Sequence, residues 1–248
     1  MYIDILDNMN WSFSRLNSFY SCKRNWYYNY IMKKESSDNF FSQYGTFAHK
    51  IFEYYNKGKI ELFEMSKYYS DNFNNEITMD APPNKFVDLK ESYFKKGYNY
   101  FVNFNGYCDE FVGSEVPFDI NIKAYNKERR FIGYIDRISK DENGYIITDY
   151  KSKGKFKSQE ELKEYTRQLY IYAIALKEMY NEYPYKLVFE QFKEGITIEQ
   201  PFVIDNLKET KKWISSTIKS IYAEKDFPKK ENDFFCQYLC GIGIDNCE

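Results

Sequence analysis

Two carboxylates and an ammonium group stand close together in the middle of the chain. Asp136, Asp149 and Lys151 flank Asp141-Glu142-Asn143-Gly144, a hairpin signal because Asn-Gly tolerates positive φ. After the turn, Tyr145, Ile147, Asp149 and Lys151 share one strand face, since side chains alternate with period two. With Asn143-Gly144 as the loop, Asp136 lies opposite Lys151. With Glu142-Asn143 as the loop, it lies opposite Asp149. Either register gathers all three on one face, because paired residues point the same way. The rest of that face is apolar: Ile132, Tyr134, Ile138, Tyr145 and Ile147. A solvated ion pair is the bland alternative and contributes little. Charges set among apolar neighbours are costly without a purpose, which favours a functional carboxylate site. Hard oxygen ligands on a sheet suit Mg²⁺ or Mn²⁺. A nearby lysine then stabilises developing phosphate charge or helps deprotonate a water.

The elements that must position these groups follow from periodicity. Ser12 or Ser14 caps a helix running to about Ile31, and a second runs from near Gly45 to a stop at Gly58. Ala81-Pro82-Pro83-Asn84 breaks the helical run, and residues 85–110 read as a further helix. Alternation then predicts strands over 112–125, 130–140 and 145–151. Leu162, Tyr165, Leu169, Tyr172, Leu176 and Met179 form one apolar stripe of a long helix. Short strands near 185–193 and 196–203 and a helix over roughly 205–224 complete a mixed α/β pattern with a helical N-terminal layer.

Composition narrows the class. The chain has 248 residues, 43% hydrophobic and 29% charged, an ordinary globular make-up. Its 21% aromatic content is too much apolar surface for a disordered chain. Net charge is −2 from 35 basic and 37 acidic residues, which excludes a generally cationic nucleic-acid coat but not a local basic groove. No apolar run is long enough to span a membrane, and Met1 to Trp11 does not read as a signal peptide, so a cytosolic location is expected. Abundant Asn, Lys, Tyr, Phe and Ile point to AT-rich coding, as in a phage or a low-GC bacterium.

Five cysteines are present, and Cys236, Cys240 and Cys247 fall in the last thirteen residues. Clustered thiols in a reducing cytosol suggest a metal or an iron–sulfur cluster. A fourth ligand must come from far away, and Cys22 is the obvious donor. Four thiolates suit a [4Fe–4S] cluster or structural zinc, with unligated thiols as the plain alternative. Cys108 fits no motif and reads as a small buried hydrophobe.

Gly133-Tyr134-Ile135-Asp136, followed thirteen positions later by Asp149-Tyr150-Lys151, resembles the PD-(D/E)XK nuclease superfamily. The resemblance is to its RecB/AddB-type branch, which includes the CRISPR-associated adaptation nucleases. Ser12-Phe13-Ser14-Arg15-Leu16, with Tyr20, Cys22 and Trp26-Tyr27-Tyr28, is similar to the branch's opening helix. Gly45-Thr46-Phe47-Ala48-His49 with Phe52-Glu53 is similar to its histidine motif. Gln168-Leu169-Tyr170-Ile171-Tyr172 is similar to its QxxxY helix, and the terminal cysteines to its iron–sulfur half-site.

The resemblance implies one nuclease domain over 1–248 with a restriction-endonuclease-like mixed sheet flanked by helices. Its parts are a helical layer (1–110), a nuclease core (111–225) and an iron–sulfur tail (226–248) packing with Cys22. It implies His49, Asp136, Asp149 and the Tyr150 carbonyl as metal ligands and Lys151 as the catalytic lysine. Gln168 and Tyr172, one helical turn apart, would place the DNA strand and the lysine. Glu115 is an accessory carboxylate in this reading, with an edge-strand surface acid as its plain alternative. Glu53, at i+4 from His49, would orient the imidazole. Cys22, Cys236, Cys240 and Cys247 would hold [4Fe–4S], although C-x3-C-x6-C is one residue longer in each gap than the usual family spacing. Lys153 and Lys155, with Arg15 and Lys23, would grip DNA phosphates. The implied activity is Mg²⁺- or Mn²⁺-dependent DNA hydrolysis, exonucleolytic on single strands or ends. Any unwinding would fall to a helicase or recombination partner, since no phosphate-loop motif is present. The alternative is a catalytically silent DNA- or partner-binding module of the same fold.

Overall fold

The computed structural model describes residues 2–230 and 232–243. Two compact units are present: Met1–Ser37 with Pro117–Gly133 and Val203–Glu248, and Asp38–Val116 with Tyr134–Phe202. A five-stranded sheet has the order β1-β2-β3-β4-β5, with β1 Glu110–Ala124, β2 Lys127–Asp141, β3 Gly144–Tyr150, β4 Lys186–Gln191 and β5 Ile196–Pro201. The β2–β3 and β4–β5 pairs are antiparallel, and β3–β4 is parallel. A parallel neighbour needs a crossover, supplied by α7 (Gln159–Tyr180). A mixed sheet flanked by helices is the expected fold class.

The second unit holds α4 (Phe40–Asn56), α5 (Met65–Glu76), α6 (Leu89–Asn103) and α7. Helix α4 begins five residues before Gly45, because Asn39 accepts from the Phe41 and Ser42 amides and Ser42 completes a capping box. It ends at Asn56, and Gly58 follows with φ 65°. One stripe of α4, with Tyr44, Phe47, Ala48, Ile51 and Phe52, is buried with Tyr69, Phe73, Phe101, Tyr150 and Phe192. The aromatic excess is spent here, each buried ring worth roughly 1.5–3 kcal/mol. Helix α7 starts at Ser158, whose side chain accepts from the Glu161 amide, and stops at Asn181 in the left-handed region, φ 58°.

The first unit carries α1 (Tyr2–Asp7), α2 (Phe13–Ser21), α3 (Lys23–Tyr30) and α8 (Ile204–Ala223). The single helix expected up to Ile31 is two. Cys22 adopts φ −161°, ψ 113° between them, ending α2 and starting α3. The helix expected over 85–110 is shorter, since α6 starts only after Asp88 caps it. Cys108 is exposed rather than buried, because residues 104–109 leave that helix as irregular chain.

Candidate functional site

The β2–β3 hairpin pairs Arg137 with Thr148 and Asp141 with Gly144, so Glu142 and Asn143 form the loop. Continued by one step, this register sets Asp136 opposite Asp149. The turn is fixed by the Asn143 amide donating to Asp141 Oδ1 at 2.8 Å and by Gly144 at φ 127°. Asp136 and Asp149 are both buried.

His49 comes to this hairpin from α4. Its Nε2 donates to the Tyr150 carbonyl at 2.9 Å, so Nδ1 faces Glu115 and Asp136, 3.6 Å from an oxygen of each. Ligand-type atoms of His49, Glu115 and Asp136 all lie within 4.8 Å of one another. Glu115 reaches this point from β1 with φ 51°, a conformation costing a non-glycine residue about 1–3 kcal/mol and kept where surroundings enforce it. Ser114, just before it, donates to the Asp136 carbonyl at 3.1 Å. Asp136 Oδ2 in turn accepts from the Tyr150 amide at 2.8 Å. Tyr150 thus serves two site residues through its backbone. Its ring is stacked on Phe52 at 3.9 Å, and its hydroxyl accepts from Asn56 at 3.0 Å and Tyr107 at 3.2 Å.

The charges of the site act strongly on one another. Burial raises the Asp136 carboxyl to about 7, and the Asp149 charge adds to the rise. Burial would lower His49, but the Asp136 charge, the Glu115 hydrogen bond and the Asp149 charge lift it to about 9. Asp149 is 1% exposed, and its Oδ2 has no hydrogen-bond donor. Lys151 Nζ stands 2.7 Å from that oxygen, at ion-pair distance but without hydrogen-bond geometry. Three carboxylates beside one imidazole, with an orphaned buried oxygen, are a donor set that fits a hard divalent cation.

Lys151 continues a chain of contacts away from Asp149. It donates to Gln168 Oε1 at 2.7 Å, and Gln168 Nε2 donates to the Tyr172 hydroxyl at 2.6 Å. Burial keeps Tyr172 far above the ordinary tyrosine range, with the nearby carboxylates adding. Its neutral hydroxyl accepts the bond.

A model of the PD-(D/E)XK nuclease superfamily matches residues 10–242. The chain belongs to that superfamily. Comparison with curated proteins finds no significant match. Sixteen chains of solved structures match. One, described as "Crystal structure of SSO0001", has 15% identity and a TM-score of 0.34, covering 96% of this chain and 91% of that one.

In this nuclease-superfamily chain the remaining expected residues have varied surroundings. Glu53 pairs with Lys57 at 2.7 Å, and the Tyr150 carbonyl, not Glu53, orients His49. Lys153 pairs with Glu161 at 2.5 Å and lies over the Tyr165 ring at 4.0 Å, whereas Lys155 is exposed. In the first unit, Arg15 donates to the Asn10 carbonyl and sits 4.6 Å over the Tyr30 ring. Lys23 pairs with Glu224 at 2.5 Å. Cys22 and Cys240 are buried, Cys236 is half-buried and all three are free thiols. Burial raises the Cys240 thiol, and the Cys22 and Cys236 charges raise it further. Cys240 Sγ also donates to Asn25 Oδ1 at 3.3 Å. Cys247 lies outside the described residues.

A cleft of about 710 Å³ opens onto the His49 group, lined also by Gly45, Tyr54, Lys59 and Tyr134. Tyr54 and Lys59 fall in no motif, and Tyr134 belongs by alternation to an otherwise apolar face. Tyr134 is 59% exposed. Two residues before Asp136, it shares the carboxylate face by strand alternation and opens into the cleft.

Proposed function

We propose that this chain is a Mg²⁺- or Mn²⁺-dependent deoxyribonuclease of the RecB/AddB-type branch, acting exonucleolytically on single-stranded DNA or DNA ends. The observation that carries the reading is the convergence of His49, Glu115 and Asp136 within 4.8 Å beside the orphaned Asp149 oxygen. His49 Nδ1 and the carboxylates of Glu115, Asp136 and Asp149 would hold the ion. Bound there, a divalent ion supplies Lewis acidity toward a phosphate oxygen and makes a neighbouring water more acidic. Lys151 has three donors. Gln168 takes one, which leaves the others, beside the Asp149 carboxylate, for the phosphate or for the charge developing on the leaving oxygen. Gln168, braced by Tyr172, fixes the lysine's direction. Tyr150 holds Asp136 and His49 in place through its amide and carbonyl.

The cysteines are read as a [4Fe–4S] site of Cys22, Cys236, Cys240 and Cys247. Support comes from the buried, free Cys22 and Cys240 thiols in the same compact unit as Cys236 and from the thiolate donor set. One family model spanning 10–242 supports a single nuclease domain. No helix among the described residues is long and apolar enough to cross a membrane. We read the protein as cytoplasmic, with a helicase or recombination partner supplying unwound ends.

The test is digestion of end-labelled linear and of covalently closed circular DNA, single- and double-stranded, with Mg²⁺ or Mn²⁺ and with EDTA. Linear single strands should be shortened from an end only with metal. Asp149→Ala and Lys151→Ala should each lose at least ~10³-fold in rate while staying folded. Near-normal rates in either variant would sink the site. Equal cutting of circles and linear strands would sink the exonuclease part alone.

A further inference from the structure

The cleft beside His49 carries features that the metal chemistry does not use. Tyr134 stands on β2 two residues before Asp136 and so on the same strand face, and it is 59% exposed with no aromatic or hydrogen-bond partner among the described residues. Tyr54, which also lines the cleft, lies on α4 five residues after His49. Lys59, just past the end of that helix, holds its ammonium 4.6 Å over the Tyr54 ring. The other cations at this end of α4 are neutralised: Lys50 by Glu76 at 2.6 Å and Lys57 by Glu53 at 2.7 Å. Lys59 is exposed, and among the described residues no carboxylate pairs with it. Gly45, one turn before His49, leaves the floor without a side chain. An added Cβ there would approach Ser152 Oγ to 3.1 Å. The cleft, at about 710 Å³, is within the ~300–1,000 Å³ of small-ligand sites.

An idle aromatic face beside one uncompensated cation, both next to a phosphodiester-cleaving centre, matches the chemistry of a nucleotide. Aromatic rings take unpaired bases by stacking, and lysines take backbone phosphates. We infer that Tyr134, Tyr54 and Lys59 form a subsite for one unpaired nucleotide adjoining the scissile phosphate. The Tyr134 ring stacks its base, and the Lys59 ammonium, steered by Tyr54, pairs with its phosphate. This rests on the nuclease reading of the His49 group and deepens it: a base inside a duplex has both faces covered by neighbours, so the subsite selects single strands. Stacking and phosphate pairing are shared by DNA and RNA, and the subsite itself accepts either.

The test uses the full chain carrying Lys151→Ala to block cleavage, with fluorescence-anisotropy titration in Mg²⁺. Its probes are a labelled oligo-dT strand, the matching oligo-rU strand, an abasic strand of equal charge and a blunt duplex. Adding Tyr134→Ala should weaken oligo-dT and oligo-rU roughly 5- to 150-fold, the loss of one stacked base. It should leave the abasic strand unchanged, and Tyr134→Phe should restore the affinity. Lys59→Ala should weaken base-bearing and abasic strands alike and flatten the salt dependence by roughly 0.7 in the logarithmic slope. In the cleaving enzyme, Tyr134→Ala should raise KM more than it lowers kcat. Unchanged binding in Tyr134→Ala, or equal loss for the abasic strand, would overturn the subsite while wild-type cleavage leaves the nuclease reading standing. Absence of both cleavage and nucleic-acid binding in the wild type would overturn the two together.

Discussion

The two nitrogens of His49 face different chemistry. Nε2 is tied to the Tyr150 carbonyl, so Nδ1 presents either a proton to Glu115 and Asp136 or a lone pair to an ion. With no ion, the proton is favoured: burial opposes it, but the carboxylates lift the imidazole from 6.5 to about 9. Burial, with the Asp149 charge, lifts Asp136 from 3.8 to about 7. Both folded values exceed the ordinary ones, so protonation stabilises the fold. That contribution is complete below the ordinary values and is lost as pH rises through about 7 for Asp136 and about 9 for His49. An ion takes the deprotonated forms and expels protons. Mg²⁺ affinity measured by calorimetry should therefore climb from about pH 6 to about pH 9, with heats that track the ionisation enthalpy of the buffer. A flat or falling affinity over that range would refute His49 as a ligand. Much of this was legible in the residues: His49 is the chain's only histidine, and Asp136 and Asp149 share a face in either register. What holds the imidazole was not legible. A backbone carbonyl on another element leaves no mark in side-chain spacing, whereas Glu53 at i+4 leaves a misleading one.

At the scale of elements, β3 has to deliver Asp149 and Lys151 to one side while anchoring itself from the other. Tyr150 is the anchor. Its ring stacks on Phe52 with planes 3° apart, and its hydroxyl takes bonds from Asn56 and Tyr107. Asn56 Oδ1 accepts from Arg137, whose guanidinium pairs with Asp109. Removing only the hydroxyl leaves two half-buried donors, Asn56 and Tyr107, without that acceptor, a cost of roughly 1–3 kcal/mol. Tyr150→Phe should lower urea-measured stability by about that much and keep cleavage, because the ring still holds the backbone that serves Asp136 and His49. Tyr150→Ala should lose both stability and cleavage. A Phe variant as stable as wild type would show that the hydroxyl contacts contribute nothing. The hairpin itself was legible from Asp141-Glu142-Asn143-Gly144, but its register was not. Asn-Gly fits either loop, and the choice falls to the bond between the Asn143 amide and Asp141. The break at Cys22 was hidden for a related reason: apolar periodicity runs straight through it, and only an extended residue at that one position divides α2 from α3.

At the scale of the whole chain, the first compact unit joins segments more than two hundred residues apart in sequence. Several contacts already tie the tail to α3. The Arg24 amide donates to the Pro228 carbonyl at 3.3 Å and the Ser37 amide to the Gly241 carbonyl at 2.9 Å. Tyr28, Cys240 and Ile242 form a small apolar cluster. Close approach requires Gly241, where an added Cβ would come within 2.9 Å of the Ser37 carbonyl. Arg24 Nε also donates to the Phe227 carbonyl, and Phe227 packs on Trp26 and Tyr27; a cross-link would add to these ties. Closing so long a loop through a cluster would remove a large share of unfolded-chain entropy, a cost that grows only with the logarithm of loop length. The clustering of thiols was visible in the sequence, but their meeting with Cys22 required the fold. The proposed cluster makes one coupled prediction. Anaerobically purified protein should be brown, with about four irons per chain. Cys22→Ala should lose the visible absorbance and, in the same preparation, several degrees of Tm, a shift of ~2–4 °C for each kcal/mol in a chain of this size. Zinc in place of iron in the wild type would replace the cluster with a structural zinc site. A colourless, metal-free wild type, or a colourless Cys22→Ala with unchanged Tm, would remove the cross-link from the account and leave the tail held by its hydrogen bonds and aromatic contacts.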